Sequence, residues 1–161
     1  MNMGQTASGR EALATHYQAV RSLTEALAAR LSDADATVQS MPDASPAKWH
    51  LAHVTWFFET FVLRDHAPGY RVFDERYAYL FNSYYETEGP RHARAARGML
   101  SRPALADILA WRDHVDDAIT ALLPRLSNAA RDLVTLGLHH EQYQHELLLT
   151  DSLHAFSLNP M

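Results

Sequence analysis

The sequence predicts an all-α protein, a four-helix bundle with one long crossover between the second and third helices. Three observations point there. Four segments repeat apolar residues at three- and four-residue steps, no strand alternation persists, and Gly-rich phosphate loops are absent. A chain of 161 residues favours a single domain with a sizeable core.

The first segment runs from about Arg10 to Leu31, with Leu13, Tyr17, Val20, Leu23, Leu27 and Leu31 in phase. The second opens at Ser45-Pro46, read as an N-cap followed by proline at the first helical position. It continues through KWHLAHVTWFFETFVLRD and stops before Pro68-Gly69. The third opens at Ser101-Arg102-Pro103 and runs through LADILAWRDHVDDAITALL. The fourth, capped by Ser127 or Asn128, spans AARDLVTLGLHHEQYQHELLLTDSLHAF. Between the second and third lies GYRVFDERYAYLFNSYYETEGPRHARAARGML, a stretch of about 30 residues, and loops of that length in a compact domain are generally functional. Its tyrosines, phenylalanines and arginines predict a packed, partly helical segment, with Tyr77, Tyr79, Tyr84 and Tyr85 serving packing.

Composition narrows the function classes. With 47% hydrophobic and 20% charged residues, the chain reads as globular rather than disordered. A formal charge of -5 argues against general nucleic-acid or anionic-membrane binding. The absence of cysteine excludes disulfides, thiolate ligands and a cysteine nucleophile. No segment approaches the ~20 apolar residues of a membrane span, and MNMGQTASGREALATHYQ lacks the apolar run of a signal peptide, so a cytoplasmic location is expected. Ten histidines are the one departure from average composition.

His50 and His53 stand three residues apart in the second helix, about 60° around its axis. That spacing predicts one inward imidazole and one at the solvated flank. In the fourth helix, Leu133, Leu136, Gly137, His140, Gln144, Leu147 and Asp151 share a face, read as the one turned into the bundle. An inward imidazole needs a partner, because an unpaired buried polar group costs about 1–3 kcal/mol. A metal ion would supply one, and neutral imidazole is the commonest metal ligand. Only Gln144 stands four residues on from His140. His145 is about 140° around the helix, on an outer face with Glu141. Periodicity alone leaves a second option, in which His140 is a core histidine and Glu141–His145 a surface pair. In the crossover, Arg91, Arg94 and Arg97 recur every three residues. They could converge on carboxylates, which suit the planar guanidinium fork, or form a solvated basic turn with Glu86 and Glu88.

Three ordered motifs, SPAKWHLAHVTWFFETFVL, LFNSYYETEGPRHARAARGMLSRP and LGLHHEQYQHELLLTD, resemble the N-terminal DinB-type domain of the ergothioneine-biosynthesis sulfoxide synthases (EgtB). The resemblance runs from about Ser45 onward. It implies a four-helix bundle with a three-histidine site for non-haem iron(II), in oxidoreductases that use oxygen to join a thiol to trimethylated histidine as a sulfoxide. The implied cofactor is a divalent metal, iron(II) foremost, with zinc(II) or nickel(II) as alternatives. The first ligand falls on His53 and the second on His140. The third position falls on Gln144, because the family's His-Gln order appears here as Gln144-His145. Either the Gln144 carbonyl oxygen ligates weakly, as a harder donor than imidazole, or a π-bulge brings in His145 as the alternative third ligand. The phase of the flanking leucines and Asp151 favours Gln144.

The same resemblance assigns Arg94 and Arg97, with Arg91 less closely matched, to the carboxylates of a small thiol substrate, gamma-glutamylcysteine or a cysteine-like compound. Family members also carry a second C-terminal domain, of the formylglycine-generating-enzyme type, that supplies a catalytic tyrosine and much of the pocket. Without that wall no sulfoxide synthase activity is expected from this chain alone. Two other classes are carried forward. One is a non-catalytic domain that forms a homo-oligomer or pairs with a partner through exposed apolar surface. The other is a stand-alone metal-dependent thiol transferase or hydrolase.

Overall fold

One helix of this protein, Ala47–Phe58 (α3), is buried on every side, and the rest of the chain is arranged around it. The computed structural model describes the backbone of residues 3–161 and the side chains from residue 7 onward. Ahead of α3 come the long helix Met3–Ala28 (α1) and the short helix Asp33–Thr37 (α2). After it come Arg64–His66 (α4), Tyr77–Phe81 (α5), Leu105–Leu122 (α6) and Asn128–Ser157 (α7). There is no strand among the described residues. The expected four-helix bundle is present: α3 packs between α6 and α7, and α1 lies along α7. No helix among the described residues is long and apolar enough to cross a membrane.

α3 does not end at Phe58. It passes through a π-helical turn, Glu59–Leu63, into α4, so the second helical segment is continuous to His66. Chain direction then changes at Gly69, whose φ of 74° lies in the left-handed region that only glycine enters without strain. The π turn places Glu59 inside the protein, where its carboxylate accepts from Tyr70 Oη (2.6 Å) and Trp111 Nε1 (2.8 Å). That single acid fastens the start of the crossover to α6.

The crossover is packed and partly helical, as expected, with α5 followed by 3-10 turns at Glu86–Glu88 and Arg94–Met99. Gln39 holds the second turn in place. Its amide donates to the Ala44 and Arg94 carbonyls, both at 2.8 Å, and accepts the Gly98 N–H at 2.7 Å. A Cβ at Gly98 would come within 2.6 Å of Gln39 Cβ, so the approach depends on glycine. Of the four tyrosines expected to pack, only Tyr77 is buried, against Phe81 and Trp111. Tyr79, Tyr84 and Tyr85 are exposed.

Several sequence expectations are corrected. Ser127 does cap α7, accepting the Ala130 N–H, but Ser45 does not cap α3. Its backbone N–H instead donates to Asp151 and its hydroxyl accepts from Arg97. α6 begins at Leu105 rather than near Ser101, because Asp107 accepts the Ala104 N–H and Asp33, from α2, accepts the Leu105 N–H. Leu23 on α1 is exposed, and the buried face carries Tyr17, Val20, Arg21, Thr24 and Ala28.

The largest correction concerns α7. Its buried residues are Ala130, Val134, Gly137, Leu138, Glu141, Gln144, His145 and Leu148, whereas Leu136 is exposed. The buried face is therefore centred about one residue further round the helix than the leucine pattern implies. Glu141 and His145 are not an outer pair; both are inside, and Glu141 is wholly buried.

Candidate metal centre and adjoining arginine cleft

Gly137 decides how close α7 comes to α3. A Cβ there would meet Phe58 Cε1 at 2.5 Å and Phe57 Cε1 at 3.0 Å, so only a hydrogen fits between the helices. One turn further on, that approach brings His140 against His53, their ring centroids 4.9 Å apart and nearly perpendicular. The structure thus brings together the two histidines that sequence resemblance singled out.

His53 is locked in orientation. Its Nδ1–H donates to the Phe81 carbonyl at 2.7 Å, which leaves Nε2 as the nitrogen with a free lone pair. Its ring lies between those of Trp49 (4.5 Å, 14°) and Trp56 (5.7 Å, 11°). Burial pushes its pKa well below that of an ordinary histidine, the nearby His140 adding to the effect, so the ring is neutral at physiological pH. Burial likewise lowers the pKa of His140. His140 Nδ1 is buried and has no hydrogen-bond partner among the described residues. Two neutral imidazoles, one tied down through Nδ1 and one with an unsatisfied nitrogen, could supply two of the donors that a divalent metal takes.

A third imidazole does not join them. Among the described residues no group of three His, Cys, Asp or Glu side chains is placed to share an ion. α7 runs as an α-helix without a π-bulge, and His145 turns toward α1, its Nε2 2.6 Å from Thr24 Oγ1. Gln144 is the buried residue one turn beyond His140, and its Oε1 lies 2.8 Å from His50 Nδ1. His50, expected at a flank if His53 faced inward, is as buried as His53; its Nε2 lies 2.8 Å from Asp151 Oδ2. The residues present could offer a metal two imidazoles, while the Gln144 amide oxygen is turned to His50 Nδ1.

A cleft of about 460 Å³ adjoins this pair, lined by Ser83, Tyr84, Arg91, His92, Arg94 and Arg97. Arg94 donates to Tyr84 Oη (2.6 Å) and to the Asp43 carbonyl (2.5 Å). Arg91 makes a loose exposed contact with Glu86 at 3.7 Å, while Glu88 pairs instead with Arg64. Arg97 is the unusual member. It is buried, its guanidinium lies 3.4 Å from the centroid of the Trp49 ring, and it donates to the hydroxyls of Ser45 (2.9 Å) and Ser83 (3.4 Å). No carboxylate pairs with it among the described residues, and its Nε has no partner. Burial, reinforced by Arg94, lowers its pKa to about 10. It remains a cation at neutral pH, and taking a cation out of water costs several kcal/mol, more than the roughly 2 kcal/mol a desolvated cation–π contact returns. An incoming anion would relieve that imbalance.

Cleft and histidine pair share their walls. Trp49 contacts both Arg97 and His53, and the Phe81–Ser83 segment supplies a carbonyl to one and a hydroxyl to the other.

On the opposite side of α7, Glu141 sits between Arg21 (3.0 Å) and Arg112 (3.2 Å) and accepts a short hydrogen bond from Thr24. Burial alone would raise its pKa, but the two guanidiniums overcome that and hold it at about 2. Sequence reasoning missed this network, because no local signal shows that two arginines from distant helices converge on one glutamate.

A helical bundle with paired inward histidines on facing helices belongs to the class of proteins that build metal sites in the bundle core. Residues 16–148 match the DinB superfamily, and the chain belongs to it; domains of that superfamily generally bind metal. No match was found among curated proteins.

Proposed function

We propose that this DinB domain binds a divalent metal ion, iron(II) foremost, through His53, His140 and Gln144, beside a cleft that takes the carboxylate of a small thiol. The observation that carries this reading is His140 Nδ1, buried without a partner against a second neutral imidazole. A structural histidine would be expected to satisfy that nitrogen, since leaving it bare costs about 1–3 kcal/mol. The motif resemblance to the EgtB sulfoxide synthases supports iron and a thiol such as gamma-glutamylcysteine. Arg97, a buried cation without an acid, supports a carboxylate ligand, with Arg94 and Arg91 at the rim. When bound, the metal supplies a Lewis acid and a coordination position for the thiol. The chain's own part is to keep both imidazoles neutral, to fix the His53 ring through Phe81, and to anchor the carboxylate.

Anaerobic titration of iron(II) or zinc(II) into wild type and His140→Ala tests the metal. Wild type is expected to bind one ion and the variant none; equal binding would remove the site from this position. A Gln144→His, His145→Gln double variant is expected to bind more tightly than wild type, because imidazole is the better donor for either metal. Gamma-glutamylcysteine and glutathione, titrated against wild type and Arg97→Met, test the cleft. Turnover of either thiol that a chelator abolishes would favour a stand-alone thiol transferase or hydrolase.

A second reading, self-association or pairing with a partner, draws on α7, where Leu136, Tyr143, Leu149, Leu153 and Phe156 are all exposed. Sedimentation velocity separates it: a strict monomer over a wide concentration range counts against it.

A further inference from the structure

Arg94 and Arg97 owe their alignment to an uncommon piece of backbone. They stand at the first and fourth residues of the 3-10 turn Arg94–Met99. With three residues per turn, such a helix sets the side chains at i and i+3 one above the other, whereas an α-helix would hold them about 60° apart. The turn is six residues long, and 3-10 runs beyond three or four are uncommon because their hydrogen bonds are poorly aligned. The register also brings two cations onto one side, and their repulsion opposes it further. Something outside the turn has to hold it.

The Gln39 side chain does so from the loop between α2 and α3. Its Nε2 donates to the Arg94 carbonyl at 2.8 Å, and its Oε1 accepts the Gly98 N–H at 2.7 Å. One amide thus spans the turn from its first residue to its fifth. Nε2 also donates to the Ala44 carbonyl at 2.8 Å. All three partners are backbone groups with fixed roles, which leaves the amide a single orientation. The residues on either side of Ala44 receive the arginines themselves. The Asp43 carbonyl accepts from Arg94 at 2.5 Å, and the Ser45 hydroxyl accepts from Arg97 at 2.9 Å. A single side chain therefore ties the backbone that carries both guanidiniums to the segment that receives them.

We infer that Gln39 is a positioning residue of the arginine cleft, setting the register in which Arg94 and Arg97 meet an anion. It does not line the cleft and acts only through the two arginines. The inference rests on the carboxylate reading above and deepens it, and it is independent of the metal.

Calorimetric titration of the metal-free protein with gamma-glutamylcysteine tests it. Gln39→Leu removes all three hydrogen bonds at similar volume, and Gly98→Ala drives a methyl to within 2.6 Å of Gln39 Cβ. Each is expected to weaken binding about 10–100-fold, the loss usual when groups that orient a binding residue are removed. Arg97→Lys keeps the charge and loses the fork. Because Gln39 acts through that fork, the loss in Gln39→Leu combined with Arg97→Lys should be smaller than the two single losses together. A residue that only stabilised the fold would add its loss in full. Wild-type affinity in either Gln39→Leu or Gly98→Ala, or full additivity in the double variant, would overturn the inference and leave the cleft a carboxylate site. Failure of wild type itself to bind gamma-glutamylcysteine would overturn the carboxylate reading and the inference with it.

Discussion

His140 and Glu141 are neighbours in sequence, yet they face two polar interiors of opposite character. Toward α1 and α6, Glu141 meets Arg21, Arg112 and Thr24, and Asp116 adds a second carboxylate on Arg21 at 2.7 Å. Toward α3, His140 meets His53 with a nitrogen that has no partner among the described residues, and beyond Trp49 lies a buried arginine that pairs with no acid among them. The first network ties three helices together through opposite charges; the second sets two neutral imidazoles beside a buried cation with no carboxylate partner among the described residues. On the proposed metal reading, fold and function divide between two faces of the same helix. The difference teaches that burial of polar groups is uninformative until their partners are counted.

The comparison breaks most visibly at Glu141. Glu141→Gln leaves Arg21 and Arg112 buried without their central counter-charge and is expected to cost roughly 3–5 kcal/mol in urea unfolding. Gly137→Ala comes next, at about 1–3 kcal/mol, because the added methyl strikes Phe57 and Phe58. This variant should also weaken metal binding, since it pushes His140 away from His53.

Acid unfolding sharpens the contrast. The Glu141 pKa is depressed in the fold from an ordinary 4.5 to about 2. Its contribution is therefore fully present above about pH 4.5 and is lost as pH falls toward 2. Stability measured across that window should fall more steeply in wild type than in Glu141→Gln. The smallest effect is expected at the open side. His140→Leu removes a bare buried nitrogen and should leave the metal-free protein as stable as wild type, or more stable by about 1 kcal/mol.

This division also explains what the sequence could and could not convey. The four helices, the Ser127 cap and the packed crossover were legible because each is written in local periodicity and turn chemistry. The two residues that motif resemblance singled out, His53 and His140, lie side by side. The phase of α7 was not, because an exposed Leu136 and a buried Glu141 invert the usual reading of apolar and charged positions. Glu141 becomes a core residue only through Arg21 and Arg112, which belong to other helices. That both His50 and His53 are buried was not legible for the same reason: the His50 partners Gln144 and Asp151 lie about a hundred residues away. The π turn at Glu59–Leu63 has no composition signal we can identify.

The central claim is that one face of α7 is structural and the other is a ligand site. Thermal unfolding of wild type, Glu141→Gln and His140→Leu, each with and without anaerobic iron(II), tests it most directly. Metal that binds only the folded state raises the midpoint. The account predicts a lowered midpoint that still rises with iron(II) in Glu141→Gln, and an undiminished midpoint blind to iron(II) in His140→Leu. An iron(II) response retained in His140→Leu, or missing in wild type, would contradict it.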